Sequence, residues 1–281
     1  MTQIVEARPL TARLGAELVG VDVRDPSEAT RDLLWRAVLE HGVVFLRGQD
    51  LSDDEQLALA RRFGTLSVYP VLRIAGEERP LEFLEDTADD PPKADRWHTD
   101  LTWLAAPPKL AFLSMRVAPD AGGDTVWADT AAAYDALSPA MRAMLRKLRV
   151  RHHVGEDHFD LFESRFGPDV GARFRAEYSE GVEHPLVRRN DDTARDALFL
   201  AGYWMDQVVG MRRDESDDLL AFLMQHATRP ECCARWHWAV DDLAIWDERR
   251  TMHVALNDHY PRHRLVRRCT IDGDVPLAAP A

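Results

Sequence analysis

The stretch RLVRRCTI, residues 264–271, is predicted to form a β-strand and closes a series of such runs. In a strand, alternate side chains share a face, so Arg264, Val266 and Arg268 point to the same side. Short apolar or alternating runs of the same kind precede it at residues 81–84, 97–103, 110–117, 125–128, 185–188, 197–200, 235–240 and 243–246. Many short strands, most of them late in the chain, favour a β-sandwich or jelly roll.

Helix signals flank the predicted strands. Ser52 is followed three residues later by Glu55, which predicts a capping box at the start of a helix. Ser138, followed by proline, predicts another start, because serine can cap a helix and proline suits its first turn. Further helices are predicted after Thr30 and at residues 215–226. The sequence therefore predicts the α+β class, with a jelly-roll core and flanking helices.

The chain is long enough for one full domain. With 281 residues, 46% of them hydrophobic, it can bury a sizeable core. No linker rich in proline, glycine or serine divides it, and we see no internal repeat, so we expect a single domain over residues 1–281. Residues 152–183 are charged and carry five aromatic residues. We expect an irregular insertion there that folds over a pocket as a lid.

Composition limits the partners and the compartment. The N-terminus lacks a basic stretch followed by an apolar run, and no apolar segment approaches about 18 residues, so we expect a cytoplasmic protein without a membrane span. A formal net charge of −13 argues against a nucleic-acid partner. Cationic side chains nevertheless gather near the end of the chain, which suggests a local anion site within an acidic protein. They are Arg249, Arg250, Arg262, Arg264, Arg267 and Arg268.

The sequence WHTDLTW, residues 97–103, carries the first candidate chemistry. If it forms a strand, His98 and Asp100 share a face, and an imidazole and a carboxylate can meet at one point. A third ligand from a distant strand would complete the two-histidine, one-carboxylate triad that leaves one face of Fe(II) free. His158 and Asp160 have the same spacing inside a charged segment, so the pair alone is a weak signal.

Two further segments can complete such a site. His253 follows a predicted strand and turn and could bring the third ligand, although a lone histidine is more often a packed or surface residue. Arg264 and Arg268, sharing a strand face, would point two guanidinium groups into one cavity. In GGDTVW, residues 122–127, paired glycines predict a tight turn, and Thr125 opens the next strand with a hydroxyl donor. By itself this last segment is only a hairpin turn.

Taken together, these segments resemble the taurine dioxygenase (TauD/TfdA) family of Fe(II)/2-oxoglutarate-dependent dioxygenases. The similarity covers nearly the whole chain, and joint occurrence makes it specific where each piece is weak. The matching blocks are GAELVGVD (15–22), VFLRGQ (44–49), RFG (62–64), WHTDLTW (97–103), GGDTVWAD (122–129), EHPLV (183–187), AIWDER (244–249), and His253 with its downstream arginines.

The resemblance implies a set of roles. His98, Asp100 and His253 would bind iron, and Arg264, helped by Thr125, would hold the distal carboxylate of 2-oxoglutarate. The implied fold is a double-stranded β-helix with a mobile lid. In the implied reaction O₂ and 2-oxoglutarate are consumed, succinate and CO₂ are released, and a C–H bond of a small anionic substrate is hydroxylated. Family members often form homo-oligomers, so the resemblance also suggests a dimer or tetramer.

The substrate pocket departs from the taurine pattern. The resemblance implies that Arg268 faces the substrate, although a purely structural ion pair is an alternative for a buried arginine. Taurine enzymes typically place His, Tyr and Asn around the amino-sulfonate, where this chain has Tyr69, Leu72 and Ala94. We therefore expect an anionic substrate with a more apolar body than taurine, such as an alkyl sulfate, a longer sulfonate or an aryloxy acid.

Other classes of function fit part of the pattern. A tailoring oxygenase of natural-product or amino-acid metabolism would use the same scaffold. A non-catalytic jelly-roll module would keep the fold and the metal without turnover. A zinc hydrolase would use the same three ligands with an activated water, but this leaves Arg264 and Thr125 unexplained.

Overall fold

The computed structural model describes residues 5–24, 27–92 and 95–280, and strands and helices alternate through these residues. The strands are β1 (Glu6–Pro9), β2 (Ala16–Val19), β3 (Val43–Leu46), β4 (Glu82–Asp86), β5 (Leu110–Val117), β6 (Thr125–Asp129), β7 (Arg149–His152), β8 (Val182–Pro185), β9 (Val187–Asn190), β10 (Arg195–Leu198), β11 (Met205–Val208), β12 (Cys233–Trp236), β13 (Leu243–Asp247), β14 (Thr251–Ala255) and β15 (Arg264–Ile271). The helices are α1 (Glu28–His41), α2 (Asp53–Arg61), α3 (Pro70–Ile74), α4 (Thr130–Asp135), α5 (Pro139–Leu145), α6 (Glu156–Phe166), α7 (Pro168–Tyr178) and α8 (Arg213–Ala227), with short 3₁₀ turns at Gly202–Trp204 and Pro230–Cys232. None of the helices in these residues has the length and apolar character needed to cross a membrane.

A seven-stranded sheet is the largest element of the fold. Its strand order is β1-β2-β3-β13-β5-β15-β4, and only the β2–β3 pairing in it is parallel. A three-stranded sheet of order β12-β6-β14 carries the turn and strand with Thr125 and the strand with His253. Two small sheets, β11-β7-β8 and β10-β9, complete the β structure described. The predicted combination of a β-rich core with flanking helices is therefore confirmed at the level of a mixed fold with a large sheet.

Aromatic residues join the large sheet to the three-stranded sheet. Phe45 of β3 stacks on Trp236 of β12 with ring centroids 4.2 Å apart, and it meets Trp127 of β6 edge-on at 5.1 Å. Trp246 of β13 contacts the same Trp127 at 5.7 Å. Because neighbouring side chains alternate, Val44 points to the other face, where it packs under α1. Large aromatic side chains bury much area, so this contact fixes the spacing of the two sheets.

The strand predicted at residues 97–103 is wrong. Only His98 pairs, in an isolated bridge with His253, and turns follow it. Leu101 has a φ of +53°, a left-handed conformation that no continuous strand accommodates. The N–H of Asp100 donates to the side chain of Glu248 at 3.2 Å instead of to a neighbouring strand. The alternation of side chains in this segment is typical of a strand, but apart from the bridge at His98 its backbone is not paired with a neighbouring strand.

The irregular lid expected at residues 152–183 is also different in the structure. Two helices, α6 and α7, occupy most of it, and their aromatic side chains pack against one another. Phe162 meets Phe174 edge-on at 4.9 Å, and Trp103 from the loop after Asp100 packs against Phe174 at 5.5 Å. The many charges of this segment lie on the outer faces, which is why its helical periodicity is hard to recognise in the sequence. At α1, the cap is Ser27 and not Thr30.

Candidate active site

Three side chains from two distant segments meet in a buried cavity. One ligand atom from each of His98, Asp100 and His253 lies within 4.8 Å of the others. The N–H of His98 donates to the carbonyl of His253 at 2.9 Å, and the reverse bond is 2.8 Å, so the two backbones are fixed side by side. The imidazole centroids are 4.2 Å apart. Two imidazole nitrogens and one carboxylate, with one side open to a cavity, suit a divalent first-row metal ion.

The protonation of these three groups suits metal binding. Burial lowers the pKa of His253 to about 3, which keeps its imidazole neutral with a free lone pair. The Nδ1 of His98 lies 2.7 Å from the carbonyl of Arg96, so Nδ1 carries the proton and Nε2 is left free. Burial works against ionisation of Asp100, but the guanidinium of Arg268 outweighs it and holds the pKa of that carboxyl well below its usual range. Within the described residues, the buried Nδ1 of His253 has no hydrogen-bond partner.

Glu248 supports this site and was not predicted as a functional residue. Its buried carboxyl accepts hydrogen bonds from the N–H of Asp100 at 3.2 Å and from the indole of Trp246 at 2.6 Å. Burial, together with the nearby charge of Asp100, raises the pKa of Glu248 well above its usual value. The only signal in the sequence was its place in the AIWDER block. Its acceptor role depends on a contact between residues 148 positions apart, which the sequence does not encode locally.

Hydrogen bonds from distant segments hold the backbone on both sides of Asp100 in place. The hydroxyl of Thr99 is in hydrogen-bond range of the carbonyls of Leu200 and Thr251, at 2.9 and 3.0 Å. His184, in the EHPLV block, places Nε2 2.8 Å from the carbonyl of Thr102 and 3.0 Å from that of Leu104. Because both partners are carbonyls, Nε2 carries the proton and donates. These contacts replace the strand pairing that the segment lacks.

The cavity beside the triad is about 400 Å³ in volume and contains the predicted co-substrate residues. Arg264 and Thr125 both line it, together with His98 and His253. The Nε of Arg264 donates to the carbonyl of Gly123 at 3.2 Å, which orients the guanidinium. The Thr125 hydroxyl accepts from the indole of Trp238 at 3.0 Å, so its own proton remains available to a ligand.

Arg268 lies where the cavity meets a second, smaller one. It donates to both carboxylate oxygens of Asp100, at 2.9 and 2.8 Å, and it also contacts Glu82 of β4. The smaller cavity, of about 180 Å³, is lined by Tyr69 and Leu72, two of the residues that the family resemblance assigns to the substrate. Burial, with Glu82 nearby, raises the pKa of the Tyr69 phenol, which therefore stays a hydrogen-bond donor. Ala94 lies outside the described residues.

The six C-terminal arginines do not form one anion site. Only Arg264 and Arg268 line the large cavity. Arg249 pairs with Asp247 at 2.8 Å, and Arg250 with Asp129. The remaining two are Arg267, which is paired with Asp53, and the exposed Arg262. Alternation along β15 separates Arg267 from its neighbours, because odd and even positions face opposite sides of the sheet.

The model of the taurine catabolism dioxygenase TauD, TfdA family matches residues 6–270. The chain belongs to this family. An alpha-ketoglutarate-dependent sulfate ester dioxygenase of Pseudomonas putida is 36% identical to it, over 97% of this chain and 91% of the relative. An alkylsulfatase of Acinetobacter baylyi is 34% identical, over 99% of this chain and 88% of the relative. A solved taurine dioxygenase from Burkholderia xenovorans has a TM-score of 0.81 and 31% identity, and the match covers 98% of this chain and 91% of that one. The resemblance inferred from the motifs is thus confirmed.

In this TauD/TfdA chain, Gly202 controls the position of the segment that carries His98. Its φ is +55°, and a Cβ at this position would lie 1.7 Å from the carbonyl oxygen of Trp97. We predict that Gly202→Ala weakens Fe(II) binding about tenfold or more, because supporting contacts of metal ligands typically have effects of this size. Gly48→Ala is the control, since Gly48 has a φ of +60° with nothing within 4 Å of its Cβ position. Anaerobic calorimetry that gave both variants the same Fe(II) affinity would refute the prediction.

His184 makes the stability of the fold depend on pH. Burial lowers the pKa of His184 from 6.5 to about 4. Between these two pH values the unfolded chain binds a proton at this histidine and the folded chain does not. The resulting stability is complete above pH 6.5 and is lost as the pH falls towards 4, by about 3 kcal/mol at most. We predict that His184→Gln, which keeps an N–H donor and does not titrate, reduces this loss. Urea unfolding at pH 7 and pH 4.5 measures it, and an equal pH dependence in both proteins would contradict the assignment.

Proposed function

We propose that this protein is an Fe(II)- and 2-oxoglutarate-dependent dioxygenase that hydroxylates a C–H bond of a small anionic organic substrate. One observation carries the proposal: His98, Asp100 and His253 converge at one point, and Arg264 and Thr125 line the same cavity. A zinc hydrolase needs the first three residues but has no use for the other two. Membership of the TauD/TfdA family, whose members include named alpha-ketoglutarate-dependent dioxygenases, supports the same reaction.

Each residue has a role in this proposal. His98, Asp100 and His253 would hold the iron, and Arg264 with the Thr125 hydroxyl would bind the distal carboxylate of 2-oxoglutarate. When bound, iron and 2-oxoglutarate supply the oxidising chemistry, in which O₂ gives one oxygen atom to succinate and one to the substrate, with release of CO₂. Burial keeps the imidazole of His253 neutral, so this ligand needs no proton loss before it binds metal. The burial of the three ligand side chains limits the access of water to the metal site.

The substrate is proposed to be anionic with an apolar body. Arg268 supplies a cation at the junction of the two cavities, and Tyr69, Leu72 and Phe162 supply apolar surface next to it. The names of the relatives that act on sulfate esters support an alkyl sulfate, while sulfonates, aryloxy acids and other carboxylates carry the same kind of group. If the hydroxylated carbon bears the sulfate, the bond between that carbon and the sulfate oxygen breaks, and the product separates into a carbonyl compound and inorganic sulfate. A coupled succinate assay in which taurine turned over faster than every alkyl sulfate, longer sulfonate and aryloxy acid tested would contradict this substrate class.

The finer architecture is part of the proposal. The large sheet and the β12-β6-β14 sheet, joined by Phe45 and Trp127, would form a double-stranded β-helix, and residues 1–281 one domain. The α6–α7 pair would act as the lid, since Phe162, Arg165 and Phe166 of α6 line the smaller cavity. A cytoplasmic location and a homodimer or homotetramer complete the proposal, without nucleic-acid or membrane partners.

The decisive experiment is an anaerobic titration with Fe(II) and 2-oxoglutarate, monitored through the visible charge-transfer band of the chelate. We predict that the band forms in the unmodified protein and that Arg264→Gln weakens 2-oxoglutarate binding about a hundredfold, as expected for loss of one partner of a buried charge pair. Fe(II) affinity should be unchanged in this variant. Arg262→Gln is the matched control, because Arg262 is exposed and lies two residues away in sequence.

The titration also separates the competing functions. Absence of the band together with activity under anaerobic conditions with zinc would favour a hydrolase. Metal binding without any 2-oxoglutarate consumption across a panel of anionic compounds would favour a non-catalytic module.

A further inference from the structure

We propose that Glu82 is a specificity-determining residue: its carboxylate occupies Arg268 and must be displaced by the anionic group of the substrate. Through this competition the site rejects small inorganic anions and accepts anions that carry an apolar body. The inference rests on the proposed function, in which Arg268 receives the anionic group.

The geometry begins with the pairing of β4 and β15. The register places Glu82 directly across from Arg268, and Asp86 directly across from Arg264. Alternation along β4 turns Glu82, Leu84 and Asp86 to one side, whereas Glu85 is exposed and pairs with the exposed His263. The edge strand therefore presents one carboxylate to each of the two buried arginines, Arg264 and Arg268. Of the two, Glu82 makes the closer contact, since Asp86 remains 3.6 Å from Arg264.

Glu82 and Asp100 together use all three nitrogens of Arg268. Nη1 donates to Asp100, while Nε and Nη2 lie 3.3 and 3.2 Å from the two carboxylate oxygens of Glu82. An arginine makes a two-point contact to sulfate or carboxylate through its Nε and Nη2 edge or through its two Nη atoms, and here Nη1 is already taken by Asp100. A substrate anion that takes this edge must therefore replace Glu82. The exchange gives up a largely buried ion pair, so a bare anion gains little from it.

An apolar body changes this balance. The smaller cavity joins Arg268 and Glu82 to Tyr69, Leu72 and Phe162. An alkyl or aryl group placed there is removed from water, which contributes favourable binding free energy. This contribution comes in addition to the small free-energy change of replacing one anion on Arg268 by another. Inorganic sulfate lacks that contribution. The competition thus protects Arg268 from free sulfate and, where the product fragments, assists release of the inorganic anion.

The displaced carboxylate has compensating charge nearby. Arg79 and Arg165 line both cavities and are exposed, so they place two cations at the mouth. Arg79 has a loose contact with Glu77 at 3.6 Å, and no carboxylate partner of Arg165 is found in the described part of the chain. Among the described residues that line the smaller cavity, Glu82 is the one carboxylate, so a Glu82 side chain that swings from Arg268 within this cavity stays near Arg79 and Arg165.

The test is isothermal titration calorimetry under anaerobic conditions, on protein loaded with Fe(II) and 2-oxoglutarate. The probes are hexyl sulfate, inorganic sulfate and hexan-1-ol. Glu82→Gln removes the charge but keeps an acceptor oxygen for Arg268. We expect its Kd for hexyl sulfate to fall about tenfold, in line with coupling between close charges, and inorganic sulfate to become a measurable competitor. The Kd for hexan-1-ol should not change.

Two further variants complete the design. Glu78→Gln removes an exposed charge four residues before Glu82, at a side chain that lines neither cavity, and we expect it to bind hexyl sulfate as the unmodified protein does. The double variant Glu82→Gln, Arg268→Gln should not show the tenfold tighter binding of hexyl sulfate, because Arg268, which would receive the sulfate group, is then absent. A gain that persisted in the double variant would overturn the proposal.

Two further results would contradict competition between Glu82 and the substrate anion. If Glu82→Gln binds hexyl sulfate no better than the unmodified protein, or neither binds it, Glu82 does not compete for an anion site. Both results are read only in protein whose Fe(II)/2-oxoglutarate band has formed. Failure of that band in the unmodified protein would instead overturn the proposed function.

Discussion

Two backbone hydrogen bonds between His98 and His253 hold the candidate metal site together. His253 belongs to a regular strand, β14, whereas His98 belongs to none, and the bridge is the only β pairing of its segment in the described residues. A pair that exchanges both N–H···O bonds has a fixed Cα separation, so the two imidazoles start from a fixed spacing. Asp100, two residues after His98, then reaches the same point, and the chain turns sharply just beyond it at Leu101. Support from Thr99, His184 and Glu248 makes this turn stable.

Charge is the second constraint on the site. Arg264 and Arg268 are buried, and each has a carboxylate opposite it on β4. A buried guanidinium without a counter-ion would be costly, so the ligand-free fold needs these carboxylates. The same carboxylates then stand between the arginines and any incoming anion. Stability without ligand and selectivity for ligand are thus set by the same side chains.

Sequence patterns predicted those parts of the site that depend on local geometry. Alternation along residues 264–271 was sufficient to place Arg264 and Arg268 in one cavity, because a period of two is a property of the strand itself. The pair His158 and Asp160 has the spacing of His98 and Asp100, yet it lies on α6, where residues two apart face different directions. Family resemblance, and not spacing, separated the two pairs.

Contacts between distant segments could not be predicted in the same way. Glu82 and Glu248 act through partners 186 and 148 positions away, and register between strands is not encoded in either segment alone. The turn after His98 was taken for a strand because tryptophan, threonine and leucine alternate there as they would in a sheet. In α6 and α7, surface charge concealed aromatic faces that become evident only when the helices pack.

In the proposed holoenzyme, His98, Asp100 and His253 bind a single Fe(II) beside Arg264, which binds 2-oxoglutarate. The most direct measurement is anomalous diffraction at the iron edge from anaerobic crystals of the full chain soaked with Fe(II) and 2-oxoglutarate. We expect one iron peak bonded to all three side chains, with the distal carboxylate of 2-oxoglutarate on Arg264. An iron peak elsewhere, or one that lacks any of the three side chains, would contradict it.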